Sequence, residues 1–424
     1  GSRRESILVT HIELHVRNGM SKQTDRASLK GPGRRQARRA LAGSESGVAL
    51  ILALLFIILL TVLVVEFGYE SQVEASFAEN QGSDFQAYLA AKSAVANGIA
   101  LLAEDLLESE LNGEPEVDAA LDQADWALGR PFEPLNDALM RTTLSDEYGK
   151  INLNALLDVS EGGPQEREPL VNALREFFAI YAPDYEDPVD AILDWIDYDD
   201  GDEERILGAE TEYYGELENP YPCKNGPMDS IEELLLIPGI TPEMYFGDPE
   251  QELLPLSEYL TVHGDWAGRV NVNTARPEVI TAMIAGYTGE PVDTALGYEI
   301  HDIARAERPF MAPQEVDQFL PPMPQQVQPR PQRKPGEPRR PARRAPRRRR
   351  VSTGETIFTV KSNVFRIHGD GMVEDVLVRV EAYVWRTPLD MSDTQRALSQ
   401  SGALARSAVL PAEPFRVLDW KVIR

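Results

Sequence analysis

From Val48 to Val65 the chain reads VALILALLFIILLTVLVV, eighteen residues whose only polar member is Thr61, and Glu66 ends the run. As a helix rising ~1.5 Å per residue, this segment nearly spans ~30 Å of hydrocarbon. It has no polar face, which argues against the core helix of a soluble domain. Residues 67–110 keep a helical texture, with Val73, Phe77, Tyr88, Val95, Ile99, Leu102 and Leu106 at roughly helical spacing among alanine-rich spacers. Gly82 and Gly98 weaken that helix locally. Further on, residues 139–154 alternate and close in Ile151-Asn152-Leu153-Asn154, a strand pattern ended by turn-forming asparagine. Residues 357–385 alternate on both sides of Gly369-Asp370-Gly371, which predicts a hairpin bending at those glycines. Between the two lie segments that read as helices at 168–180, 187–197, 229–237, 276–286, 293–306 and 313–319. A lone hairpin is not stable, so it is expected to pair with the strand near 142–153. The helical region then becomes an insertion into one sheet. The predicted class is α+β: a long N-terminal spine helix, a small antiparallel sheet and a large inserted α-helical domain.

Charge changes this picture by dividing it. The 424 residues carry a formal charge of −27, but residues 1–47 hold ten Lys/Arg against four Asp/Glu, residues 48–320 twelve against fifty-five, and residues 321–424 twenty against ten. Basic residues before the apolar run and acidic ones after it place residues 1–47 in the cytoplasm and the rest outside, by the positive-inside rule. No small-residue cleavage site follows Val65, so the span at 48–66 is expected to stay as a single-pass anchor. One cysteine, Cys223, excludes an intramolecular disulfide framework, and five scattered histidines argue against zinc. Residues 321–350, with nine prolines and eleven Lys/Arg, read as a solvated linker, and 387–424 as a C-terminal tail of undecided structure.

Ser46-Gly47-Val48 puts a glycine at the membrane boundary directly after a basic segment. This resembles a type IV prepilin leader, cut on the cytoplasmic side after the glycine. The resemblance then implies cleavage by a prepilin peptidase between Gly47 and Val48, with methylation of the freed Val48 amine. Met20 as initiator would give a leader of ordinary length. In the body, Gly149-Lys150-Ile151-Asn152-Leu153-Asn154, then Asp194-Trp195-Ile196-Asp197 with Gly208-Ala209-Glu210 and Tyr213-Tyr214, then Arg269 to Ala275, and finally Val316 to Leu320, are similar in order and spacing to the minor pseudopilin K of type II secretion systems. The resemblance covers about residues 46–385. Pseudopilins usually carry a glutamate at the fifth mature position and the K protein lacks it; counted from Val48, the fifth residue here is Leu52.

The resemblance implies a pilin-like partition. A basic leader spans 1–47, a transmembrane helix 48–66 and the amphipathic part of the spine 67–110. The first part of the sheet lies in 111–155, the inserted α-domain in 156–320, the linker in 321–350 and the C-terminal hairpin in 351–386. It also implies a bacterial inner-membrane protein with its bulk in the periplasm, assembled with other minor pseudopilins at the tip of the secretion pseudopilus and without enzymatic activity.

Between Asp194 and Glu212 the chain offers nine carboxylates with only Arg205 to offset them. Such a loop is stable only if it is solvated or bridged, and a hard cation taking ~6–8 oxygens would relieve its repulsion. The spacing is not that of an EF-hand. The resemblance supports a calcium site at Asp197, Asp199, Asp200, Glu210 and Glu212, with Asp202 a weaker candidate and Asp194 capping or anchoring the helix that carries Trp195.

Two other readings fit parts of the chain. Leu236-Ile237-Pro238-Gly239-Ile240 resembles the hairpin of a helix-hairpin-helix, and residues 270–310 are similar to the repeat of competence-type DNA receptors. Phosphate binding by such hairpins needs nearby cations, and this region is acidic, so no nucleic-acid partner is expected. A type IV pilus tip minor pilin would share the anchor and the spine.

Overall fold

The computed structural model describes residues 45–112, 117–119, 131–159, 165–198, 205–320, 352–387 and 413–423. Residues 1–44 of the leader, the linker 321–350, and Asp199, Asp200 and Asp202 lie outside the described residues. The chain divides into two compact units, residues 1–75 and 76–424. In the first unit, the early part of helix α1 (Glu45–Asn112) exposes its apolar side chains. Among the described residues it is the one helix long and apolar enough to cross a membrane.

In the second unit, α1 lies on a five-stranded antiparallel sheet of β1 (Glu133–Leu135), β2 (Ala138–Asp146), β3 (Val364–Val373), β4 (Val376–Arg386) and β5 (Phe415–Ile423), in that spatial order. Of the strand expected near 142–153, only the part to Asp146 pairs with the hairpin, in the register Leu139↔Met372 to Asp146↔Phe365, while Ile151-Asn152 pairs in parallel with Leu260-Thr261 inside the insertion. The tail supplies β5, which pairs with β4 at the sheet edge.

The hairpin does not bend at its glycines. Its turn is Glu374-Asp375, while Gly369 and Gly371 sit inside β3. They are there because α1 crosses them: a Cβ on Gly371 would fall 1.9 Å from the Ala87 carbonyl oxygen, and one on Gly369 would fall 2.2 Å from that of Ala91. Helix and strand therefore meet backbone to backbone, with Ala87, Ala90, Ala91 and Ala94 on the helix side. Gly98 of α1 rests on Ile367, and the Thr142 hydroxyl donates to the Ala94 carbonyl at 2.9 Å.

Between β2 and β3 the chain builds a second core of its own, running from Ile151 to Val360. Its helices are α2 (Glu168–Tyr181), α3 (Val189–Ile196), α4 (Thr211–Gly215), α5 (Pro242–Phe246), α6 (Pro277–Thr288), α7 (Thr294–Asp302) and α8 (Thr353–Ile357), with 3-10 turns at Ile231–Leu236 and Pro313–Gln318. Helices α2 and α6 touch where a Cβ on Gly286 would meet the Ala173 backbone nitrogen at 2.3 Å. The Leu236–Ile240 segment joins the 3-10 turn to α5 and packs Gly239 on Pro188.

The insertion leaves and re-enters the sheet at one point, where the Glu147 N–H donates to the Val364 carbonyl at 3.1 Å. That neck is filled by buried polar groups. One Arg386 Nη reaches both oxygens of Asp118 at 2.7 Å and donates to the Ser362 carbonyl at 2.7 Å. Asp146 Oδ2 accepts from Ser362 Oγ (2.6 Å), Thr274 Oγ1 (2.6 Å) and Asn271 Nδ2 (2.9 Å). Burial pushes the Asp146 carboxyl up to about 6, helped by the nearby Asp118 charge, against hydrogen bonds from Ser362 and Thr274 that act to lower it.

The helix-on-strand contact makes Gly371 sensitive to substitution. Gly371→Ala should destabilise the full-length protein in detergent by about 1–3 kcal/mol in chemical unfolding, because the helix backbone must move away. Gly82→Ala, with open space around it on the same helix, should be neutral or stabilising by about 0.5–1 kcal/mol. The neck makes stability depend on pH. Because Asp146 holds its proton more tightly when folded, its contribution is complete below about pH 4 and is lost as pH rises toward about 6. Relative to Asp146→Asn, the wild-type protein should therefore lose on the order of 3 kcal/mol of stability between pH 4 and pH 7. A difference independent of pH would contradict this.

Candidate metal centre

Helix α3 is apolar on most of its surface and buries Val189, Ile192, Leu193, Trp195 and Ile196. Its last turn carries Asp194, fully buried, and Asp197 follows as the C-cap. Glu210 is the residue before α4 and is also buried. The two helices thereby bring three carboxylates together, with a ligand oxygen of each within 4.8 Å of the others. Below them lies an aromatic base in which Trp195 meets Tyr214 edge to face at 5.2 Å and Tyr214 meets Tyr221 at 5.3 Å. The Trp195 indole N–H donates to Glu233 at 2.9 Å, which fixes the end of α3.

Gly208 is required beside this cluster. A Cβ there would fall 1.7 Å from Asp194 Oδ2, and the same oxygen accepts the Ala209 N–H at 2.9 Å. Burial raises the Asp194 carboxyl above its ordinary range, and the Asp197 charge adds to this, while Arg205 acts in the opposite direction. Arg205 enters the cluster directly. Its Nη1 donates to Asp197 Oδ2 at 2.8 Å and to Asp194, and its Nη2 donates to Glu166 at 2.7 Å. Cys223 packs against the Asp194 carbonyl, and burial pushes its thiol up to about 11, so it is a packing residue here.

Of the residues expected from sequence, Asp197 and Glu210 meet in this cluster, while Glu212 is exposed on the first turn of α4. Asp199, Asp200 and Asp202 lie outside the described residues. Asp194 joins as a full member. It stands three residues before Asp197, a spacing that places two side chains on one side of a helical turn, and that spacing was the available signal. The donors present fit a hard divalent cation: all are carboxylate oxygens, closely set. Calcium held there would offset two of the three negative charges of Asp194, Asp197 and Glu210. Gly47 and Val48 are exposed residues near the start of α1, with open space around the Gly47 backbone.

The family model described as type II secretion system, protein K, matches residues 149–247, a stretch that contains this cluster. The type II secretion system protein K of Aeromonas hydrophila is 29% identical over 252 residues, which is 57% of this chain and 71% of that protein. The protein of the same name from Klebsiella pneumoniae is 28% identical over 253 residues, 58% of this chain and 71% of that protein. A chain in the crystal structure of the GspK-GspI-GspJ complex of enterotoxigenic Escherichia coli matches the fold with a TM-score of 0.54 at 18% identity, over 82% of this chain and 99% of that one. With its long apolar helix, small antiparallel sheet and inserted helical body, the chain is similar to type II secretion system protein K in sequence over residues 149–247 and in fold over most of its length.

Proposed function

We propose that this minor pseudopilin sits at the tip of the type II secretion pseudopilus, starts its assembly there and supports export of folded proteins across the outer membrane. The observation that carries the reading is the insertion of residues 147–363 between β2 and β3 of a pilin-like head. A body of that size obstructs stacking of a further subunit. Leu52 supports the same place. In a growing fibre a buried glutamate near the helix start pairs with the terminal ammonium of the neighbour above, and an unpaired buried charge costs several kcal/mol. A topmost subunit has no neighbour above and does without it. The similar Escherichia coli chain was crystallised within the GspK-GspI-GspJ complex, and we extend that to partners here: other minor pseudopilins bound as a heterocomplex.

In this reading the protein is a single-pass inner-membrane protein with its body in the periplasm and no catalytic role. Prepilin peptidase cuts after Gly47, whose missing side chain lets the scissile backbone approach closely, and Val48 becomes the methylated N-terminus. Calcium is held by Asp194, Asp197 and Glu210, with Asp199, Asp200, Asp202 and Glu212 as further donors, and it locks the loop. The family match favours neither the DNA-receptor reading nor a type IV pilus tip.

Deleting the gene should abolish or strongly reduce export of folded substrates, with recovery on complementation; normal export in the deletion would sink the tip reading. Mass spectrometry of the native protein should find a chain starting at methylated Val48, and Gly47 replaced by a bulky residue should leave the precursor uncut. Adding calcium to the chelated protein should raise its melting temperature by several degrees, and Asp197→Ala or Glu210→Ala should remove most of that rise.

A further inference from the structure

The guanidinium of Arg205 stands where a cation would stand. Its Nη1 lies 2.8 Å from Asp197 Oδ2 and also contacts Asp194, so one nitrogen bridges two of the three clustered carboxylates. A calcium ion on those same oxygens would sit ~2.3–2.6 Å from each. The two positive centres would then be within about 3 Å of each other, and in a partly buried site like charges at that separation repel strongly. Both cannot hold Asp194 Oδ1 and Asp197 Oδ2 at once.

From this exclusion we propose that Arg205 is a built-in competitor for the calcium site, filling it when the metal is away and leaving it when the metal binds, a role that rests on the calcium reading given above. The local structure allows the exchange. Arg205 opens a surface turn closed by the Gly208 N–H on the Arg205 carbonyl at 3.0 Å. The next residue, Ile206, is 98% exposed and Leu207 is half exposed, so the turn can shift without unpacking the core. Glu166, on the outer side of the guanidinium, accepts from Nη2 at 2.7 Å and helps hold Arg205 inward. Without such a competitor, a low-calcium state would leave the buried Asp194 and Asp197 carboxylates with less opposing charge, which would favour local unfolding. Arg205 thus sets the calcium level at which the loop converts, through a differential interaction with the two states.

Calorimetric calcium titration of the full-length protein in detergent, after chelation, tests this. Arg205→Gln should bind calcium at least tenfold more tightly than wild type, while its chelated form should melt several degrees lower. Glu166→Gln, which leaves every candidate ligand in place, should tighten calcium binding by a smaller factor of about two to five. A purely structural role for Arg205 would not move affinity in that direction. If Arg205→Gln does not yield folded protein, Arg205→Lys, which keeps the charge but loses the fork, must also bind more tightly than wild type. Calcium binding by wild type that is unchanged or weakened in the Arg205 variants overturns the competitor role and leaves the calcium site standing. No calcium binding by wild type or variants overturns both.

Discussion

The contact on which the second unit depends is the crossing of α1 over β3, where Ala87 and Ala91 meet Gly371 and Gly369 with no side chain between them. Interiors pack at crystal-like density, so a helix can come this close to a sheet only where both surfaces are stripped to small residues. Around the crossing, Val95, Leu102, Leu144, Phe365, Ile367 and Val380 fill the remaining space. With the helix seated, β2 and β3 are held in register, and their ends at Asp146 and Phe365 are fixed side by side.

That fixed pair of ends explains how so large a body can interrupt so small a sheet. Loop-closure entropy grows only slowly with length, and an insertion that folds on its own core needs only its two ends placed together. The cost appears at the neck, where Asp118, Asp146, Asn271, Ser362 and Arg386 are all buried. Their mutual hydrogen bonds satisfy groups that would otherwise each carry a desolvation penalty. Arg386 also reaches Asp105 of α1 at 3.6 Å, so the same node ties spine, sheet and insertion. The carboxylate cluster lies within the insertion and repeats the logic, gathering Asp194 and Asp197 around the Arg205 guanidinium.

Much of this is legible in the residues. Alternation locates β2 and the hairpin, and apolar periodicity locates most helices within a few residues, because those faces are buried and their period is imposed by packing. The glycines of β3 mislead, since glycine serves equally in a turn and under a crossing backbone, and only the position of α1 distinguishes the two. Strand β5 stays undecided in the sequence because an edge strand exposed on both faces keeps no strict period. At the candidate metal centre, acidic density points to the region and to Asp197 and Glu210. Asp194 reads as a helix-end anchor until Gly208 and Arg205 come up against it in three dimensions.

In the function proposed above, a head built on this crossing, with so large an insertion, assembles with other minor pseudopilins. The most direct measurement is co-purification of the tagged chain with the untagged minor pseudopilins of its own secretion system, followed by mass measurement of the intact complex. The expected result is a stable heterocomplex of defined stoichiometry containing one copy of this chain. Recovery of the chain alone, with its partners folded and present in excess, would contradict it.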